Sequence, residues 1–309
     1  MSINKLVKNI IEKKSPIVVG LDPRIEQIPE EVKNKYFEKY GNTLEAVKYS
    51  FIEFNRGIID AVEELVPAVK PQIAFYEKYG IEGLIAYKDA CDYAKEKGLH
   101  VIADIKRGDI GSTSKAYSDA HIGLTDINGE KVEAFFSDSV TVNPYLGDDC
   151  LKEFVDNIET YDKGMWVLVK TSNKSSEQLQ NLVVENETIY KRVGDLVNAW
   201  SEKTVQTCGY SPIGAVVGAT FPQEADLLRK VMPKSYFLVP GYGAQGASGK
   251  DIVNCFNEDG LGAIVNSSRG IIFAYLKKNM DYKAAAKEAV IEMREDINQA
   301  LVTAGKKYF

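Results

Sequence analysis

Eight short runs rich in apolar and β-branched residues recur along the chain, and longer segments separate them. The runs occupy residues 17–21, 69–75, 101–105, 139–142, 166–169, 213–217, 236–239 and 263–265. Most of them are continuously apolar and do not alternate between apolar and polar positions, which is typical of parallel strands buried on both faces. The pattern therefore predicts eight buried parallel strands.

The segments between these runs have the periodicity of amphipathic helices. Residues 50–65 place Phe51, Phe54 and Ile58 on one stripe, and residues 188–200 repeat the pattern less cleanly. Strand–helix alternation repeated eight times favours the α/β class and a TIM (β/α)8 barrel, because eight strands close such a barrel. An open doubly wound sheet stays the alternative, since periodicity alone does not show closure.

No linker divides the chain. The 309 residues contain no shift in composition and no low-complexity or Pro/Ser-rich stretch, so we expect a single barrel domain over residues 1–309. Residues 36–44 and 123–133 are interpreted as loop insertions. The amphipathic residues 1–14 and the segment 281–309 predict extra terminal helices that flank the barrel.

The composition is that of an ordinary globular chain with a slight acidic excess. There are 38 Lys and Arg side chains against 44 Asp and Glu, which gives a formal net charge of −6. This argues against nucleic acid or an anionic membrane as the main partner, so a few well-placed cations must hold any bound anion. The four cysteines are too scattered for a metal or redox motif. With neither a signal-peptide pattern nor a membrane span, the sequence predicts a cytoplasmic protein.

Polar and charged residues follow the predicted strands closely, at the end of the barrel where active sites of this fold lie. In residues 103–113, side-chain alternation along the third strand directs Asp104 and Lys106 into the barrel mouth. A glycine beyond them allows a turn that brings Asp109 back, and Lys70 extends from the second strand. This predicts an alternating network of carboxylates and ammonium groups. A purely structural salt bridge is the alternative.

A second group of residues is suited to binding an anion. Residues 239–246 form a glycine-rich loop after the seventh strand, and Ser268 and Arg269 follow the eighth strand at the start of a helix. These two loops form the customary phosphate site of such barrels, and Arg269 would add a bidentate clamp. A simple tight turn is the alternative interpretation of the glycines. Neither histidine has the spacing of a metal ligand, and no metal site is predicted.

Eight ordered motifs resemble those of the orotidine 5′-phosphate decarboxylase family, in its longer bacterial-type subgroup. In chain order they are VGLDPR, VKPQIAFYE, ADIKRGDIGST, VTVNPYLG, VKTSN, VGATFPQE, VPGYGAQG and NSSRG. The resemblance covers the chain from Val18 to about Tyr275. It implies a lyase that decarboxylates orotidine 5′-phosphate to UMP and CO2 in de novo pyrimidine synthesis, without a metal or organic cofactor.

The same resemblance implies a role for each motif residue. In the implied mechanism Lys106 stabilises a carbanion at C6 and donates the proton. Asp109 and Thr113 would reach into the neighbouring subunit's site in a homodimer. The implied catalytic network is Lys70, Asp104, Lys106 and Asp109. The implied contacts are Asp22 and Gln72 with the ribose, Thr171 and Ser172 with the pyrimidine edge, Gln245 and Arg269 with the phosphate, and Pro240, Gly246 and Ser268 with the substrate.

Two other functions stay open. Keto-sugar-phosphate decarboxylases and aldolases share the D-x-K-x-x-D pattern but resemble metal enzymes, with an acidic ligand where this chain has Lys70. An ammonium at that position would repel Mg²⁺. A non-catalytic nucleotide-binding barrel would keep the phosphate site without the chemistry. The intact charged network argues against it, because burying such a network costs desolvation that ligand binding does not require.

Overall fold

Eight parallel strands close into a barrel in the computed structural model, which describes residues 3–243 and 246–306. Around the barrel each strand pairs with its neighbours in sequence, and the first strand pairs with the last. This closure confirms the predicted barrel and excludes the open sheet. The barrel strands are β1 Ile17–Leu21, β2 Ala68–Pro71, β3 His100–Arg107, β4 Ser139–Val142, β5 Gly164–Lys170, β6 Ser211–Val217, β7 Ser235–Val239 and β8 Ala263–Ser267.

Helices alternate with the strands and cover the outside of the barrel. In chain order they are α1 Ile3–Lys13, α2 Glu30–Tyr40, α3 Leu44–Val62, α4 Ala74–Glu77, α5 Gly80–Glu96, α6 Gly111–His121, α7 Asp149–Tyr161, α8 Glu177–Gln180, α9 Ile189–Ser201, α10 Pro222–Val231, α11 Gly249–Ile252, α12 Arg269–Ile272, α13 Tyr275–Lys278 and α14 Tyr282–Thr303. Two short antiparallel hairpins pair Thr125–Ile127 with Glu130–Val132 and Val183–Val184 with Glu187–Thr188. No helix of the described residues is long and apolar enough to cross a bilayer.

The predicted helix at 50–65 begins six residues earlier, at Leu44. Thr43 caps it, because its hydroxyl accepts a hydrogen bond from the Ala46 amide at 3.2 Å. The predicted apolar stripe is buried against the barrel, with Phe51 and Phe54 fully buried. Local capping chemistry therefore sets the start of α3, and the apolar stripe sets the face that packs.

Two predicted boundaries are wrong. Residues 36–44 are not a loop insertion, because residues 36–40 form the last turn of α2 and only 41–43 connect it to α3. Gly41 ends α2 with a φ of +67°, a conformation that glycine adopts without steric cost. The insertion predicted at 123–133 keeps its bounds and contains the first of the two hairpins. The strand predicted at 69–75 stops at Pro71, which has no amide to continue the ladder, and residues 74–77 are helical.

The core consists of two layers separated by the barrel wall. The larger layer lies between the strands and the surrounding helices. The smaller layer fills the barrel interior and joins the apolar face of α1, which contributes Leu6 and Ile10. The Lys13 ammonium donates to the carbonyl of Val66, just before β2, so α1 covers the end of the barrel where the strands begin. The opposite end, where the strands finish, stays open for a site.

Candidate functional site

A cavity of about 390 Å³ opens at the carboxyl ends of the strands. Residues from β2, β3, β4, β5, β6, β7 and β8, or from the loops that follow them, line its wall. Apolar side chains of the barrel interior form its floor, and charged and amide groups surround them. The lining residues are Lys70, Asp104, Lys106, Thr141, Leu168, Thr171, Ser172, Asn173, Val216, Leu238, Pro240 and Asn266.

Asp104 lies between two ammonium groups at this cavity. Its Oδ2 atom accepts a hydrogen bond from the Lys70 Nζ at 2.6 Å, and its Oδ1 atom accepts one from the Lys106 Nζ at 2.6 Å. The side chains of Lys70 and Asp104 are 7% and 6% exposed, whereas that of Lys106 is 45% exposed. Lys106 is therefore the member of this group whose ammonium is open to a bound molecule.

The opposite charges of Lys70 and Asp104 keep both groups ionised although both are buried. Burial alone would lower the pKa of Lys70, but the nearby carboxylates of Asp104 and Asp22 outweigh it and the pKa is raised. Burial likewise opposes ionisation of Asp104, yet the ammonium groups of Lys70 and Lys106 hold the pKa of that carboxyl well below its usual range. Asp104 is therefore a carboxylate and Lys70 an ammonium at neutral pH.

The backbone of Lys106 departs from regular strand geometry. Its φ is +46°, in the left-handed region that residues other than glycine rarely adopt, and the β3–β4 register shifts between Ala103 and Arg107. The Lys106 amide donates to the Thr141 hydroxyl at 2.9 Å, and that hydroxyl donates to Asp104 Oδ1 at 2.8 Å. Simple strand alternation correctly grouped Asp104 with Lys106, but an irregular, hydrogen-bonded turn of the chain is what brings the two together.

Asp109 does not join the group within one chain. Its Oδ1 atom accepts a hydrogen bond from the Ile110 amide at 2.8 Å, and it forms no ion pair among residues 3–243 and 246–306. The turn that was expected to return Asp109 to Lys106 is therefore not observed. Thr113 lies exposed in the first turn of α6, also away from the cavity. A role for these two residues in a neighbouring subunit stays a prediction.

The end of β5 presents Thr171 and Ser172 to the cavity. The Thr171 hydroxyl donates to Asn173 Oδ1 at 2.7 Å and accepts from Gln180 Nε2 at 2.8 Å, while the Thr171 amide donates to Gln180 Oε1 at 3.0 Å. The preceding Lys170 is fully buried and points away from the cavity. The Lys170 Nζ donates a hydrogen bond to Asn181 Oδ1 at 2.7 Å and so holds the segment that contains α8 against the barrel.

A set of buried oxygen atoms near the ends of β1 and β8 has no partner among the described residues. They are Asp22 Oδ1, Asn266 Oδ1 and Ser268 Oγ. Gly20 leaves room beside them, because a Cβ there would lie 2.7 Å from the Ser268 Cβ and 3.2 Å from Asn266 Oδ1. Buried polar atoms are ordinarily hydrogen-bonded, so this corner is suited to a polar ligand.

The remaining predicted contacts lie on the segments that follow β2, β7 and β8. Arg269 is exposed at the start of α12, and its guanidinium makes no hydrogen bond or ion pair within the described part of the chain. Pro240 lines the cavity, and Gly246 lies in the glycine-rich loop with a φ of +91°. Gln72 lies beside Asp104 but does not line the cavity, and its Oε1 accepts from the Ala74 amide at 3.2 Å. Gln245 lies outside the described residues.

Sequence reasoning missed three polar contributors: Thr141, Asn173 and Gln180. Thr141 lies in the strand SVTV, and its polar side chain in an apolar run was the available signal. Asn173 is the last residue of the motif VKTSN, but the sequence analysis assigns it no contact. Gln180 carried no signal, because the path of the chain after residue 173 determines its contact with Thr171.

Known proteins resemble this chain over nearly all of its length. The family model described as orotidine 5′-phosphate decarboxylase / HUMPS family matches residues 15–288. Orotidine 5′-phosphate decarboxylases from Caldicellulosiruptor bescii and Petrotoga mobilis are 41% and 44% identical, each over 96% of this chain and 98% of the relative. The solved structure of Leishmania donovani OMP decarboxylase is 31% identical with a TM-score of 0.71, covering 96% of this chain and 99% of that one. The chain belongs to the orotidine 5′-phosphate decarboxylase / HUMPS family.

Proposed function

We propose that this chain converts orotidine 5′-phosphate to UMP and CO2 in pyrimidine biosynthesis. The observation that carries the proposal is the Lys70–Asp104–Lys106 array, in which a buried carboxylate holds an exposed ammonium at the cavity wall. Relatives at about 40% identity over 96% of the chain have names that give this activity. Cytoplasmic location and action as one domain belong to the same proposal, supported by four free cysteines and by terminal helices that pack on the barrel.

In the proposed reaction the bond between C6 of the pyrimidine and its carboxylate breaks. CO2 leaves without the bonding electron pair, which stays on C6 in an sp² orbital with no adjacent carbonyl to delocalise it. A fixed ammonium beside C6 stabilises this charge before solvent can reorganise, and it then donates a proton to give UMP. Lys106 has the exposure this role requires, and solvent returns its proton afterwards.

Asp104 and Lys70 act through Lys106. Asp104 holds the Lys106 ammonium by a direct hydrogen bond, and Lys70 keeps Asp104 ionised from the buried side. In this proposal the substrate carboxylate lies near Asp104, so loss of CO2 relieves a repulsion between like charges as well. The array thus fixes the position of the proton donor and the charge around it.

The polar corner at β1 and β8 takes the rest of the substrate in this proposal. Asp22 contacts the ribose with Gln72, Thr171 and Ser172 contact the pyrimidine edge, and the phosphate is held by Arg269. Gln245 is the second phosphate contact, and Pro240, Gly246 and Ser268 are further contacts with the substrate. The phosphate contacts are remote from C6. Their binding energy therefore serves to position the pyrimidine ring against Lys106 and to exclude water.

A metal-dependent reaction on a keto-sugar phosphate is the second candidate, because the family name also includes HUMPS. The contacts of Asp104 oppose it. Each of its carboxylate oxygens accepts a hydrogen bond from an ammonium group, so a divalent cation would have to displace Lys70 or Lys106 and be repelled by both.

The fall in ultraviolet absorbance as the conjugated carboxylate leaves the pyrimidine tests the proposal. We expect purified protein to decarboxylate orotidine 5′-phosphate at the same rate with and without EDTA. Strong inhibition by EDTA would favour the metal-dependent alternative. A folded protein that binds UMP but produces no change in absorbance would favour a nucleotide sensor.

We also propose that the site is shared within a homodimer, as the exclusion of Asp109 from its own cavity suggests. Mixing Lys106→Ala chains with Asp109→Ala chains tests this. In a mixed dimer one site would combine an intact Lys106 with an intact Asp109 from the other chain, so random mixing restores about a quarter of the activity. If Asp109 acts within its own chain, mixing restores none.

A further inference from the structure

The last helix contacts the glycine-rich loop on both sides. One carboxylate oxygen of α14, Asp296 Oδ2, accepts a hydrogen bond from the Tyr242 hydroxyl at 2.6 Å and another from the Gly249 amide at 2.7 Å. Tyr242 lies near the start of the loop, and Gly249 lies just past its end. A single oxygen atom of α14 therefore contacts both the segment that leads into the loop and the segment that leaves it.

Contacts within the loop bring those two ends together. The Gly243 amide donates to the Ala247 carbonyl at 2.8 Å, and Tyr242 and Ala247 form an isolated bridge. The segment that leaves the loop packs tightly on α14 at Gly249. A Cβ at Gly249 would lie 2.7 Å from the backbone oxygen of Asp296 and 3.0 Å from the Ala300 Cβ. Only glycine allows this approach without a shift of the loop or the helix.

The tyrosine is a dependable donor at neutral pH. Its ring is half-buried and packs against the main core, and its hydroxyl points to Asp296. Burial, together with the hydrogen bond to the Asp296 carboxylate, raises the pKa of Tyr242 above its usual range. A protonated phenol facing a carboxylate is a charge-assisted hydrogen bond, stronger than one between neutral groups.

We propose that Asp296 is a positioning residue for the phosphate-binding loop, acting through Tyr242 and Gly249 and touching no substrate itself. The inference rests on the proposed function, since it requires that the loop hold a phosphate. The family model ends at residue 288, so Asp296 lies outside the part of the chain that it matches. The C-terminal helix in this account fixes the loop as well as covering the barrel.

The test compares Asp296→Ala with Glu295→Ala. Glu295 is exposed on the same helix, carries the same charge and makes no hydrogen bond or ion pair with the described residues. We expect kcat/KM for orotidine 5′-phosphate to fall about tenfold in Asp296→Ala and to stay unchanged in Glu295→Ala. The nucleoside orotidine, which lacks the phosphate, should react equally with both variants at high protein concentration. Asp296→Asn keeps an acceptor oxygen and should lose about threefold or less.

Binding of UMP by calorimetry gives a readout that does not depend on turnover, and we expect about tenfold weaker binding in Asp296→Ala only. Equal losses for orotidine 5′-phosphate and orotidine would indicate a general structural role and overturn the inference. Identical behaviour of the two alanine variants would also overturn it, while leaving the proposed decarboxylation intact. A wild-type protein that binds UMP but does not decarboxylate orotidine 5′-phosphate would refute the proposed reaction and not the positioning role of Asp296. A wild-type protein that neither binds UMP nor decarboxylates orotidine 5′-phosphate would refute both proposals.

Discussion

Lys106 is held in a conformation that its own backbone disfavours. A left-handed φ at a residue with a long side chain costs on the order of 1 kcal/mol and persists only where its surroundings fix it. Here the Thr141 hydroxyl accepts from the Lys106 amide and donates to Asp104, so one side chain holds both the strained backbone and the carboxylate. Thr141 thus fixes the Lys106 backbone directly and the Lys106 ammonium through Asp104.

Replacing Thr141 by Val keeps the shape of the side chain and removes both hydrogen bonds. We expect kcat to fall about tenfold to a hundredfold, because the proton donor is no longer held within a fraction of an ångström of its position. Thr141→Ser keeps the hydroxyl and should retain most of the rate. Steady-state kinetics measures kcat of the two variants and of the wild type. A Thr141→Val enzyme with wild-type kcat would show that the Thr141 hydroxyl plays no positioning role.

At the scale of elements, the barrel was predictable because its signal is local. Each strand is a short apolar run, and eight such runs between amphipathic segments leave few other folds. The helical end of α2 was not predicted, because its half-buried aromatic residues and exposed charged residues form no clear stripe. Tyr36 and Tyr40 stack on Tyr49 of the next helix, a contact between elements that no local pattern encodes.

The site residues were likewise predictable only where their signal is local to a strand. Lys70, Asp104 and Lys106 were identifiable because each lies in or just after a strand, and the fold gathers all strand ends at one face. The contact of Gln180 with Thr171 was not identifiable, since it depends on how the segment after residue 173 folds back. Strand-end chemistry is therefore accessible from sequence, whereas contacts made by connecting loops are not.

The packing of α10 on the last strands depends on a buried arginine. Arg229 donates to the carbonyls of Cys255 at 3.2 Å, Gly262 at 2.9 Å and Ser235 at 2.6 Å, and also to that of Met232. Burial lowers the pKa of Arg229 to about 10, so it stays charged at neutral pH. It satisfies carbonyl groups that would otherwise be buried without donors.

Arg229→Met should therefore be strongly destabilising. Leaving several buried carbonyls unsatisfied costs about 1–3 kcal/mol each, so we expect the free energy of unfolding to fall by about 3 kcal/mol or more. The neighbouring Lys230 is exposed, and among the described residues its one partner is Asp226, so Lys230→Met should change the free energy of unfolding by less than about 1 kcal/mol. Urea unfolding measures both variants, and equal stabilities would contradict this role for Arg229.

For the whole molecule, the acidic net charge describes the surface, and the site has the opposite character. In the proposed site, Lys106 and Arg269 face the carboxylate and phosphate groups of the substrate, and Lys70 lies behind Asp104, whereas the chain as a whole carries −6. The two histidines also have a global effect, although the proposed chemistry uses neither. Both are buried, and burial lowers the pKa of His100 and of His121 from 6.5 to about 4.

This predicts a loss of stability in mild acid. Between pH 6.5 and 4 the unfolded chain binds protons that the buried histidines do not, so the free energy of unfolding falls as the pH falls through that window. Each histidine should contribute about 2 kcal/mol between pH 7 and 5. His121→Phe keeps the stacking on Phe135, and urea unfolding should show about half of the histidine contribution to this pH dependence. An unchanged pH dependence would contradict the assignment.

The most direct test of the central claim is the decarboxylation rate of Lys106→Ala in a single-turnover experiment, with UMP binding measured on the same sample. The account predicts a rate at least about a thousandfold below wild type, because both the stabilising charge and the proton donor are lost, while UMP still binds measurably. Arg269→Ala, as the matched variant, should mainly weaken binding. A Lys106→Ala protein that decarboxylates orotidine 5′-phosphate at a near wild-type rate would contradict the account.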